Sequence, residues 1–132
     1  MEASYTPPPG LNIDTIICRD DYIEVTWDGT QNREKVRRSN RDALAAAETL
    51  KAKGLPVRLF ICVRHHPLLA NPGAFDEVLK ILRAVSFERM VLCGDLPPMV
   101  MSLVTSVIAS FNKELDISFI EDPARALTWL RR

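Results

Sequence analysis

At 132 residues the chain has the length of one domain, enough to bury about two-thirds of the surface its unfolded form exposes. A hydrophobic share of 47% and a charged share of 26% exclude a disordered or fibrous chain. Seventeen basic residues balance seventeen acidic ones, so no net field gathers nucleic acid or an anionic membrane, and neither is expected as a partner.

Met1 to Gly10 carry neither a basic n-region nor an apolar h-region, so no secretory signal is expected and the expected location is cytoplasmic. Pro7, Pro8, Pro9 and Gly10 predict a flexible tail over residues 1–10, with residues 11–132 forming the single domain. Thr15 to Cys18 and Tyr22 to Trp27 are β-rich runs around the polar turn Arg19, Asp20 and Asp21, which predicts a hairpin. Arg33, Lys35, Arg37, Arg38 and Arg41 then stand against Glu34 alone. Without interleaved aromatics, this basic run reads as a solvated connection.

Ser39 with Asp42 three residues on resembles a capping box, placing the first helix start there. Val36, Ala43, Leu44, Ala47 and Leu50 share one helical face, and Gly54 with Pro56 ends the helix. Val57 to Val63 is a nearly continuous apolar run, the pattern of a parallel strand covered on both faces. Asn71 and Pro72 predict the start of a second helix, with Phe75, Val78, Leu79 and Leu82 as its stripe. Phe87 to Cys93 reads as another buried strand. Asp95, Pro97 and Pro98 open a third helix, whose sheet-facing stripe is Val100, Leu103, Val104, Val107, Ile108 and Phe111. Ile117 to Ile120 is the last strand, and Asp122 with Pro123 opens the final helix carrying Leu127, Trp129 and Leu130.

The fold class expected is therefore α/β: a five-stranded, mostly parallel sheet with an antiparallel first strand, flanked by four helices. Cys18, Cys62 and Cys93 lie in apolar runs without paired spacing and read as small buried hydrophobes, not as a disulfide framework.

This order of elements resembles the SpoIIAA-like or STAS-like fold of anti-sigma-factor antagonists and of small stand-alone bacterial proteins without assigned function. The resemblance rests most on Met90–Val91–Leu92–Cys93–Gly94, on the uncharged third helix ending near Phe111–Asn112–Lys113, and on Phe119 to Leu130. It implies a regulatory role through protein contact. Antagonists of that family carry a phosphorylatable serine at the start of the helix after a central strand. Here the matching stretch, Arg64 to Asn71, has no hydroxyl residue, so that switch does not carry over.

In open parallel sheets, ligands bind beyond the carboxyl ends of the strands. Arg64, His65 and His66 follow one such end, and Cys93 and Asp95 follow another expected to be adjacent. His65, His66, Cys93 and Asp95 could in principle converge on a metal ion as the centre of an enzyme. Their spacing matches no recognised ligand motif, Asp95 has a sufficient role as a helix cap, and Cys93 is explained by burial. No metal, cofactor or catalytic residue is therefore assigned. The third helix is the less ordinary feature, because no charged residue appears from Leu96 to Asn112. It is a poor membrane span. Met99, Val100, Met101, Leu103, Val104 and Val107 are instead the expected contact surface of a homodimer or a regulatory protein partner. The expected function is a non-catalytic regulatory or protein-interaction module. A small apolar ligand held between sheet and helices is the remaining alternative, which the resemblance suggests through lipid-binding relatives.

Overall fold

The computed structural model describes residues 14–29, 31–64, 72–94, 97–111 and 114–132. The tail expected over residues 1–10 and the caps expected at Asn71 and Asp95 lie outside them. Strands β1 (Thr15–Cys18), β2 (Ile23–Asp28), β3 (Arg58–Arg64), β4 (Arg89–Gly94) and β5 (Asp116–Phe119) alternate with α1 (Arg33–Ala52), α2 (Pro72–Ala84), α3 (Pro98–Phe111) and α4 (Pro123–Leu130) after the opening hairpin. The strands lie side by side in chain order. β1 pairs antiparallel with β2, and every later pair is parallel.

Strand alternation sends side chains to two different cores. Ile23, Val25 and Trp27 of β2, Leu59, Ile61 and Val63 of β3, and Met90 and Leu92 of β4 face one side, where Ala47 and Leu50 of α1, Val78 and Leu82 of α2 and Ile108 of α3 cover them. On the other side Phe60, Val91 and Cys93 pack with Tyr22 under Ala126 and Leu130 of α4. Three helices thus share one face, and α4 alone lies on the other. Asp122 caps α4, its Oδ2 accepting from the Arg125 N–H at 3.0 Å, with Pro123 in the first turn as expected.

The first helix begins earlier than Ser39. Its N-cap is Asn32, whose Oδ1 accepts from the Lys35 N–H at 2.9 Å. The basic run is therefore two helical turns rather than a connection. Val36, Ser39, Ala43, Ala46, Ala47 and Leu50 form the buried face, so the arginines between them point outward while the backbone stays helical. Leu44 falls off this face and is exposed. Arg37 reaches the buried carboxylate of Glu77 on α2 at 3.2 Å, Lys80 Nζ approaches it at 2.9 Å, and Asn40 Nδ2 donates to the Glu77 carbonyl at 2.6 Å. Past the C-terminus Gly54, at φ +74°, lets the Leu55 N–H return to the Leu50 carbonyl at 3.1 Å.

Candidate functional site

The carboxyl ends of β3 and β4 are adjacent, as the sequence predicts. Arg64 closes β3 and is exposed, and Cys93 sits just inside the end of β4 and is fully buried. His65, His66 and Asp95 lie outside the described residues. Among the described residues, no three His, Cys, Asp or Glu side chains are grouped to hold a metal ion.

The arrangement that sequence reasoning missed is one row back from this edge. Parallel pairing sets Arg58 beside Arg89 and Cys62 beside Cys93, both cysteines on the face that α4 covers. The adjoining strand places Thr26 next to Cys62 in the same row. This register brings the two thiols together as neighbours, and Arg64, two residues along the same face of β3, acts electrostatically on Cys62.

These neighbours separate the two proton affinities. The hydrogen bond from Cys93 lowers the Cys62 thiol to about 6, with Arg64 adding to the effect and partial burial and Glu24 opposing it. Cys93 moves up instead, because it keeps the shared proton, is buried and faces the Cys62 thiolate and Asp122. Cys62 is only half-buried. The expectation of three buried cysteines thus holds for Cys93 alone, since Cys18 is exposed on the edge strand. A signal for the pair was present: β3 opens Arg-Leu-Phe-Ile-Cys and β4 opens Arg-Met-Val-Leu-Cys, so aligning the two strands on their arginines aligns the cysteines.

The third helix carries the other unusual surface. Its expected sheet-facing stripe divides: Ile108 is buried and Val104 packs against the core, but Val100, Leu103 and Val107 are exposed. The reason is its place at the edge, against short β5, where a helix can bury only one side. Met99, Leu103 and Val107, four residues apart, form an outward ridge with Val100 beside it. The Met101 side chain is outside what the structure describes.

No protein-family model and no curated protein matches the chain. A solved structure does: an uncharacterized protein from the DUF3478 family with a SpoIIAA-like fold, from Shewanella loihica PV-4. It is similar at a TM-score of 0.58 and 19% identity, over 95% of this chain and 99% of that one. The fold is SpoIIAA-like. At this identity the likeness carries the fold and no activity.

Within the SpoIIAA-like domain, the space between the sheet and α1 and α2 is apolar but small. Val25, Trp27, Ala43, Leu59, Val78 and Ile81 border about 30 Å³ there. That is room for about one water, whereas pockets for small molecules run to several hundred Å³. Among the described residues, no helix is long and apolar enough to cross a membrane.

Proposed function

We propose that this SpoIIAA-like protein is a non-catalytic interaction module that self-associates through α3. The observation that carries the reading is the exposed ridge of Met99 (83% exposed), Val100 (43%), Leu103 (66%) and Val107 (43%) on a helix without a single charge. Leaving such a surface in water costs about 25 cal/mol per Å². A second copy of the chain is the occupant argued for. In a two-fold contact each residue near the axis meets its own counterpart, so a helix without charge brings no like charges together.

A helix of 14 residues is only about 21 Å long, which places the contact at the small end of stable interfaces. Light scattering at high micromolar concentration tests the reading. The wild type is expected to be dimeric, and Leu103→Glu monomeric with an unchanged circular dichroism spectrum. Leu103 makes the better variant because its exposure leaves the monomer's core untouched. A wild type that stays monomeric at that concentration refutes the proposal.

A further inference from the structure

The sheet face opposite α3 carries chemistry that self-association does not use. We infer that Cys62 and Cys93 form a peroxide-sensitive dithiol, with Cys62 the attacking thiol, Cys93 the resolving one, and a reversible disulfide between neighbouring parallel strands as the product.

The argument starts from register. Cys62 and Cys93 are direct partners in adjacent parallel strands, with side chains on the same face. Neighbouring strands run about 4.8 Å apart, within the range of Cα separations that a disulfide spans. A disulfide also needs its Cβ atoms about 3.5–4.5 Å apart, so the bond forms with a small local approach of the two strands and no change of register.

Burial then assigns the roles. Cys62 is only partly buried and is the more accessible of the two, whereas Cys93 is fully buried in the cluster that holds Ala126 and Leu130. Among the described residues, the charged groups that act on the pair are Glu24 from β2, Arg64 from β3 and Asp122 from the start of α4. Arg64 favours the Cys62 thiolate; Asp122 acts on Cys93 and disfavours a second thiolate there. A reactive thiolate and a protonated neighbour are what the two-step oxidation of a dithiol requires.

With hydrogen peroxide the steps balance. The Cys62 thiolate attacks one peroxide oxygen, the O–O bond breaks, and the departing hydroxide takes up a proton to leave as water, giving a sulfenic acid on Cys62. The Cys93 sulfur then attacks the Cys62 sulfur. The S–S bond forms as the S–O bond breaks, and the leaving hydroxide takes the Cys93 proton as a second water. Two thiols lose two electrons, and one peroxide is reduced to two waters.

Cys18 is a built-in control. It pairs with Ile23, whose side chain lies on the α1 side of the sheet, and its Sγ is 3.8 Å from the Ala46 carbonyl of α1. It therefore lies across the sheet from the other two cysteines.

Reduced protein treated with hydrogen peroxide, blocked with iodoacetamide and digested without reductant should yield one cross-linked peptide pair, joining the segments that hold Cys62 and Cys93. Cys18 should be recovered alkylated, and a dithiol reductant should restore all three thiols. Cys93→Ser should stop at the sulfenic acid of Cys62, which dimedone traps, whereas Cys62→Ser should leave Cys93 unoxidised. Alkylation of Cys62 should stay within about twofold between pH 8 and 7 and fall roughly tenfold per unit only below about 6, whereas an ordinary thiol of pKa about 8.5 already falls tenfold per unit across the higher range. Recovery of Cys62 and Cys93 as free thiols after peroxide overturns the inference. So does a disulfide through Cys18, or over-oxidation of Cys62 in the wild type with Cys93 still reduced.

Discussion

Replacing Gly94 with alanine tests the seam between β3 and β4, where both the fold and the dithiol are set. Gly94 ends β4 at φ +114° and lies opposite Val63. A Cβ there would fall onto the Val63 carbonyl oxygen and come within 3.1 Å of its nitrogen and 3.2 Å of its carbonyl carbon. These are backbone atoms of the central strand, so no side-chain rotation relieves the contact. Holding alanine at positive φ costs about 1–3 kcal/mol, and forcing two packed strands apart costs about 1–3 kcal/mol more. Gly54 separates the two effects, because it shares the positive φ at +74° but has nothing within 4 Å of a built Cβ. Gly54→Ala should then cost about 1 kcal/mol, and Gly94→Ala about 3–4 kcal/mol. For a domain of this size about 1 kcal/mol moves the melting temperature by roughly 3–5 °C, so the expected losses are about 4 °C and about 12–16 °C respectively. Thermal melts followed by far-ultraviolet circular dichroism give the temperature shifts, and urea unfolding followed by tryptophan fluorescence gives the free energies. Equal losses for the two variants would refute the close approach of β4 to Val63.

Asn32→Ala should destabilise by about 1 kcal/mol through loss of the α1 cap, while Ser39→Ala, in mid-helix, should leave stability within about 0.5 kcal/mol of the wild type. Thermal melts giving the reverse order would place the helix start at Ser39. Glu77 is buried between Lys80 and Arg37, which hold its carboxyl below the ordinary 4.5. A folded-state value below the unfolded one means that its stabilisation is complete above about pH 4.5 and is lost as the pH falls through the lower, folded value. Glu77→Gln should therefore unfold at lower urea than the wild type at neutral pH, with the gap narrowing in acid. A gap independent of pH would show that the ion cluster contributes nothing.

Much of the fold was legible in the residues themselves. The hairpin about Arg19 to Asp21, the continuous apolar run of β3 and the Asp122–Pro123 opening of α4 are local signals, because strand period, turn chemistry and caps act over a few neighbouring residues. The start of α1 shows where local signals compete. Asn32 and Ser39 are both acceptable caps, and the arginines between them read as a polar connection. Packing of Val36 and Ser39 into the core, with Arg37 reaching Glu77 across to α2, decided for Asn32. On α3 the sequence showed an uncharged helix but not which side the sheet would cover, and its position at the edge beside β5 turned Leu103 and Val107 outward. The cysteines carry the contrast furthest. Apolar surroundings made Cys62 and Cys93 look like inert core residues, and 30 residues of intervening chain hid any relation between them. Their pairing depends on the crossover through α2 returning β4 in one register and no other, and that register is selected by which side chains the two cores bury, a property of the whole sheet.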